Sequence, residues 1–389
     1  MMAELHAAIV YGTRPEAIKL APVIHECRRR TQDVVATVCF TGQHQELVRP
    51  IADYFGLHPD IELAAMEPGQ SLASLTARLL TELDGVLTRL EPDCVMAQGD
   101  TTTVLCAALS AFYHRIPLVH VEAGLRSGDL NAPWPEELNR RIASLATTLH
   151  CAPTEDAVKK LLAEGVPGSD IYLTGNTVID ALLQTVERER NNAEIWRAKY
   201  SMLEDRRMVL VTAHRRENHG DGLRRICAAV DVLAARSRDV DFVYVVHLNP
   251  HVCEPARRFL SGRSNIHLIA PVGYPEFVWL MDRSTLIITD SGGIQEEGPS
   301  LGKPVIVTRE STERPEAVES GLAVLAGNRT DEIVKEATQL LEGHRSLPCG
   351  LPDIYGDGRA AERIVTWMVT RLARRRSSQS EDRTCDRER

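Results

Sequence analysis

The sequence has no basic surplus: 45 lysines and arginines stand against 54 aspartates and glutamates, a formal net charge of -9. That argues against a general nucleic-acid binder, whose footprint is a cationic surface. It leaves room for a phosphate-bearing small molecule, for which a few local arginines suffice. No run of about 18 uninterrupted apolar residues occurs, so no membrane span is expected. The opening MMAELHAAIVYG lacks the charged region, long apolar run and cleavage site of a secretory leader. The nine cysteines include no C-x-x-C pair, and several sit inside apolar runs such as ATVCF and CVMAQ. They read as buried thiols of a reducing compartment, not as zinc ligands or disulfides, so the cytoplasm is the expected location. H-E-x-x-H is missing, and the thirteen histidines show no paired ligand spacing, so no metal is expected. G-x-G-x-x-G is absent after the first strand, as are the P-loop and the G-x-S-x-G elbow. These absences count against NAD, against ATP or GTP hydrolysis and against a serine hydrolase. No cofactor is expected.

What is present is an ordinary globular balance, 43% hydrophobic and 25% charged, over 389 residues. That length favours two domains. Short apolar runs alternate with amphipathic stretches of helical length. Ala7–Val10, Val34–Phe40, Cys94–Gln98, Leu118–Val121 and Ile171–Leu173 are predicted strands of a first series. Met208–Thr212, Phe242–Val246, Ile266–Ile269, Leu286–Thr289 and Pro304–Val307 form a second, after a polar helical segment at Val186–Glu204. Strands alternating with helices imply parallel sheets covered on both faces. The expected fold is α/β, two Rossmann-like doubly wound domains with the site in a cleft between them. The expected boundaries are 1–180 and 205–358, followed by a polar, charged tail at 376–389 that is expected to be disordered.

The informative residues cluster where strands are expected to stop. Ser291-Gly292-Gly293 follows Leu286–Thr289 and opens a helix, a place where backbone N–H groups and the helix dipole suit a phosphate. Glu297, one turn later, is placed to accept from the two hydroxyls of a ribose. A tight turn that binds nothing is the plain alternative. Arg309 and Arg314 follow the next strand as candidate phosphate clamps or as a solvated charge cluster. Arg14 and Lys19 follow the first strand and suit an anion. Asp100 follows Cys94–Gln98 and is either a working carboxylate or an N-cap. Glu122 ends Leu118–Val121, Glu136 opens a helix, where an acid suits the dipole in any case, and His214 follows Met208–Thr212. Each has a structural explanation alone, but three carboxylates and a histidine at strand ends are hard to ascribe to capping.

From Tyr11 to about Ile364 the chain resembles the non-hydrolysing UDP-N-acetylglucosamine 2-epimerases. The resemblance rests on GTRPEAIKLAPV (Gly12–Val23), TGQH (Thr41–His44), QGDTTT (Gln98–Thr103), HVEAGLRSGD (His120–Asp129) and PWPEELNRR (Pro133–Arg141). TGNTVIDAL (Thr174–Leu182), TAHRREN (Thr212–Asn218), HLNP (His247–Pro250), TDSGGIQEE (Thr289–Glu297) and TERPEAV (Thr312–Val318) complete it, in the family's order. The resemblance implies a GT-B-like fold whose C-terminal helix, about 360–375, rejoins the first domain. It implies elimination of UDP to 2-acetamidoglucal and re-addition, which inverts C2 to give UDP-N-acetylmannosamine. It makes Asp100, Glu122, Glu136 and His214 the acid/base candidates, with the base among the carboxylates unassigned and a diphosphate-supporting role left open for His214. Arg14, Lys19, Phe277, Ser291, Gly292, Gly293, Glu297 and Arg314 become the substrate-binding set. Gln43, His44, Gln70, Arg215 and His247 match an activator site for a second UDP-GlcNAc, with a closing cleft as the plain alternative. A homodimer is implied too.

Two departures stand out. Val272 replaces a glutamine common in relatives, and Leu351–Gly358 deviates from the usual Asn-Pro-Tyr-Gly-Asp-Gly. They leave open a modified UDP-sugar. A hydrolysing 2-epimerase, a GT-B glycosyltransferase and a silent nucleotide-sugar sensor are the remaining rivals.

Overall fold

The chain is described by a computed structural model covering residues 4–385 apart from 44, 204–205, 216–217, 313 and 345–352, with the backbone alone for 376–385. It divides into two compact units, Met1–Ala181 with Gly356–Arg389, and Leu182–Tyr355.

The first unit is built on a seven-stranded sheet. Its strands are β1 (Leu5–Tyr11), β2 (Val34–Phe40), β3 (Ile61–Glu62), β4 (Cys94–Gln98), β5 (Leu118–Val121), β6 (Leu149–Ala152) and β7 (Ile171–Leu173), in the order β3-β2-β1-β4-β5-β6-β7. Every pairing is parallel. β4 and β5 are buried along their whole length and β1 at all but one residue, because helices cover both faces. The helix Leu72–Leu90 shows how. Its leucines 75, 79, 83 and 87 recur every fourth residue, lie on one stripe, and are all buried against Ala8, Val10 and Val95. Ser71 caps its start by accepting from the Ser74 amide at 3.2 Å, and Glu91 ends it in the left-handed region with φ 42°.

The second unit has a six-stranded sheet. Its strands are β8 (Arg207–Thr212), β9 (Val240–Val245), β10 (Ile266–Ile269), β11 (Leu286–Thr289), β12 (Val305–Val307) and β13 (Ala323–Leu325), ordered β10-β9-β8-β11-β12-β13 and again all parallel. Leu223, Ile226, Val230 and Leu233 form the buried stripe of the helix Asp221–Arg236 against β8 and β9. The two doubly wound parallel sheets are the fold class expected from the sequence.

Differences are local. β3, β6 and β13 are too short or too polar to stand out as strands. β9 begins earlier than predicted because Asp241, which reads as a break, is held inside the sheet by His267 Nε2 at 3.1 Å. β12 begins one residue later, since Pro304 has no N–H to give. The segment expected to be helical from Val186 is two helices, Thr177–Asn191 and Ala193–Lys199, with a short 3-10 turn at Ser201–Leu203. The closing helix Ala360–Cys385 continues into the polar segment for which disorder was expected, and 386–389 lie outside the described residues.

That closing helix is tied to the first unit by a buried carboxylate. Asp180 accepts from the amides of Ala360 at 3.2 Å and Ala361 at 2.9 Å. Burial pushes its carboxyl up to about 6 while the two amides oppose the rise. Asp180→Ala is expected to destabilise this unit by about 1–2 kcal/mol, seen as a lower urea midpoint. An unchanged midpoint would show that the cap contributes nothing.

Candidate active site

In each sheet the strand order reverses once, between β1 and β4 and between β8 and β11. Beyond the carboxyl ends of such a pair the two following chains diverge to opposite faces, leaving a crevice lined by backbone ends and by whatever side chains the loops carry.

At the β1/β4 crevice, Gly12 lies so close to its neighbours that a Cβ would fall 2.2 Å from Thr41 Oγ1 and 2.5 Å from Thr103 Oγ1. Only glycine fits. Glu16, 1% exposed, accepts from the Gly12 amide at 2.8 Å and the Thr13 amide at 2.7 Å, capping the helix Arg14–Arg29, and its other oxygen accepts from the Thr101 hydroxyl. The loops after β1 and β4 are thereby joined. Arg14 is exposed at the first position of that helix.

Glu122 follows β5 in the left-handed region, φ 65°. Lys19 Nζ donates to both of its oxygens at 2.6 Å, Gln98 Nε2 donates to Oε2, and Asn176 Nδ2 donates to Oε1 at 3.3 Å. Asn176 serves twice, since its Oδ1 also accepts from the Val178 amide at 3.1 Å. Lys19, expected among the nucleotide-binding residues, is thus paired with Glu122. Asp100, just past β4, meets Arg140 Nη2 at 2.8 Å, and Asn139 Nδ2 donates to its backbone carbonyl at 3.0 Å. Burial pushes the Asp100 carboxyl up to about 6; Glu122 and Glu136 add to the rise, and the Arg140 and Lys19 charges oppose it. Glu136 heads the helix Glu136–Ala146 and is half-buried. Its neighbour Glu137 is fully buried and committed to structure, accepting from the Ser127 amide at 3.0 Å and from Arg141 Nε at 3.0 Å. Gln43 Oε1 accepts from Thr103 at 3.0 Å, and Gln70 Nε2 donates to the Ala65 carbonyl at 3.3 Å. His44 lies outside the described residues.

At the β8/β11 crevice the organising group is Asp290, fully buried. Its Oδ2 accepts from the amides of His214 and Arg215, each at 2.9 Å, and from Asn218 Nδ2 at 3.0 Å. The His214 ring, 43% exposed, stacks on His247 with centroids 5.9 Å apart. Arg215 Nη2 stands 3.4 Å from where a Cβ on Gly292 would be, so the guanidinium lies beside the Ser291-Gly292-Gly293 turn. Gly293 caps the short helix Ile294–Ser300. Glu297 is 7% exposed and accepts from the Tyr274 hydroxyl at 3.4 Å, and Phe277 is half-buried on the same helix as Tyr274. Arg314 Nε donates to the buried Glu296 carboxylate, so much of its charge is already matched. Arg309 is buried.

Sequence reasoning found the carboxylates and the glycine turn. It did not give roles to Gln98, Arg140, Asn176 or Asp290. All but Arg140 sit at strand ends or helix starts within the quoted motifs, which was the available signal.

Comparison with known proteins shows the family and the fold. The family model described as UDP-N-acetylglucosamine 2-epimerase matches residues 25–369. A probable UDP-N-acetylglucosamine 2-epimerase of Ralstonia solanacearum is 48% identical over 92% of this chain and 96% of its own. The UDP-GlcNAc 2-epimerase of Neisseria meningitidis bound to UDP-GlcNAc superposes with TM-score 0.87 at 43% identity, covering 94% of this chain and all of that one. That of Methanocaldococcus jannaschii in complex with UDP-GlcNAc and UDP gives TM-score 0.77 at 34% identity, covering 94% and 100%.

Arg140 supplies the nearest charge opposing burial at Asp100, so Arg140→Met is expected to move the Asp100 carboxyl further above about 6. Carboxyl carbon-13 titration reads this directly; a transition that stays in place or moves down contradicts the electrostatic account.

Proposed function

The chain belongs to the UDP-N-acetylglucosamine 2-epimerase family, and from that premise we propose that it interconverts UDP-GlcNAc and UDP-N-acetylmannosamine without releasing free sugar. A base takes the proton from C2, the C1–O bond breaks, and UDP leaves with the bonding pair, giving 2-acetamidoglucal. UDP oxygen then returns to C1 and a proton is delivered to the opposite face of C2. The C2 proton is only weakly acidic, so the reaction needs a positioned base and a stabilised leaving group.

The observation that carries the reading is the pair of carboxylates at the ends of β4 and β5. Asp100, pushed up to about 6, can hold or release a proton near neutral pH, where general acid–base catalysis is most effective. Glu122 is gripped by the Lys19 ammonium and two amide donors, which favours its ionised form. Two carboxylates in unlike settings suit a reaction that removes a proton from one face and returns it to the other. Glu136 completes the acid/base set. His214 and the Ser291–Gly293 turn are the candidates for the diphosphate, Glu297 for the ribose, and Arg14, Lys19, Phe277 and Arg314 for the rest of the nucleotide. Retaining UDP keeps re-addition effectively unimolecular.

Three finer points belong to the same reading. Gln43, His44, Gln70, Arg215 and His247 take a second UDP-GlcNAc as activator; the Methanocaldococcus relative's complex with two nucleotides supports this. The working form is a homodimer. The enzyme acts in the cytoplasm, in keeping with six free, buried cysteines among the described residues.

The test is incubation with UDP-GlcNAc in deuterated water, followed by proton NMR. UDP-N-acetylmannosamine carrying deuterium at C2 is the expected product. Free N-acetylmannosamine with UDP moves the chain to the hydrolysing branch. No exchange at C2, even with substrate enough to fill an activator site, sinks the assignment. Asp100→Asn and Glu122→Gln are each expected to lower kcat by about 10²–10⁴-fold.

A further inference from the structure

We propose that His120 is a positioning residue for the proton transfer: its ring Nε2–H holds the Gly99 carbonyl and thereby aims the Asp100 carboxyl. The inference rests on the functional reading above.

His120 is the third residue of β5, 1% exposed, with Nε2 2.7 Å from the Gly99 oxygen. A carbonyl can only accept, so the proton is on Nε2 and the neutral ring leaves Nδ1 bare. The groups facing the ring are His150, its paired residue on β6, together with Arg126, Glu122 and Arg140. Burial pulls His120 down to about 4 and His150 to about 3, so both rings stay neutral near pH 7 and a single tautomer serves.

The bond matters because of what Gly99 is. Its φ of +85° puts it in the left-handed region, where glycine has wide freedom to rotate its peptide planes. The Gly99 carbonyl and the Asp100 amide share one rigid plane. Fixing that oxygen fixes the plane, and with it the direction in which Asp100 leaves the backbone. The Gly99 amide is held by the Val121 carbonyl at 3.1 Å and the Asp100 carbonyl by Asn139. His120 closes the remaining degree of freedom between them without touching the carboxyl itself.

The experiment compares wild type, His120→Phe and His120→Gln. Phenylalanine keeps a ring but no donor; glutamine keeps an N–H of similar reach. His120→Phe is expected to lower kcat roughly 10²-fold, with KM changed by about twofold or less, and to displace the Asp100 carbon-13 titration. His120→Gln is expected to recover most of both. Nitrogen-15 shifts of the wild-type ring should report Nε2–H. Full kcat in His120→Phe overturns the proposal, as does a glutamine variant as impaired as the phenylalanine one, or a ring protonated at Nδ1. If wild type exchanges no C2 proton, the functional reading falls instead, and the tautomer and the Asp100 titration still decide whether His120 aims the carboxyl.

Discussion

A parallel sheet whose strand order reverses once must open a crevice at the reversal, and both sheets of this chain do so. Most of the candidate residues follow strands at or beside those two places, where side chains are held by rigid strands and still reachable. The close approach of Gly12 to Thr41 and Thr103, the Glu16 bridge from the β1 loop to Thr101, and the Asp290 bridge from β11 to the His214 loop all serve this geometry. Each joins two neighbouring strand ends, so that loops with little packing of their own inherit the stiffness of the sheets.

The cost of such a design is buried charge, and it is met differently at the ends of β4 and β5 and at the β8/β11 crevice. Removing an ion from water costs several kcal/mol unless donors replace the solvent. At β8/β11 the donors are mostly backbone amides, and Asp290 joins two loops. At β4/β5 they are side chains. Glu122 takes Lys19, Gln98 and Asn176, whereas Asp100 takes Arg140 on one oxygen and keeps a side chain 30% exposed. Unequal compensation makes one carboxylate a constant and the other a variable.

Much of this was legible in the sequence, for a physical reason. Buried parallel strands read as short continuous apolar runs, so β2, β4, β5, β7, β10 and β11 were found with their bounds. Ile61–Glu62 was missed because two residues make no run; Leu149–Ala152 and Ala323–Leu325 were missed although strands as short, such as Ile171–Leu173, were found. The candidate carboxylates were legible as acids next to strand ends. Their partners were not, since Lys19 and Glu122 are 103 positions apart and local patterning carries no information about which distant side chains meet. Lys19 is the clearest case: its position after the first strand suggested an anion site, and the anion it meets is the protein's own.

The same logic explains why the residue behind Gly99 must be a neutral donor. Asp100 stands near 6 because burial outweighs Arg140 and Lys19, with Glu122 and Glu136 helping. An imidazolium at position 120, bonded to the carbonyl of the Gly99–Asp100 peptide, would add a third cation near Asp100 and pull its carboxyl back toward the ordinary aspartate range. A lysine or arginine would do so permanently. A hydroxyl on so short a side chain would not cross from β5 to the Gly99 carbonyl. A buried histidine offers reach, one directed N–H and no charge, and the apolar interior that strips its proton is the same interior that raises Asp100. Burial thus sets both groups at once, one as a neutral strut and the other as a carboxyl able to exchange its proton near neutral pH.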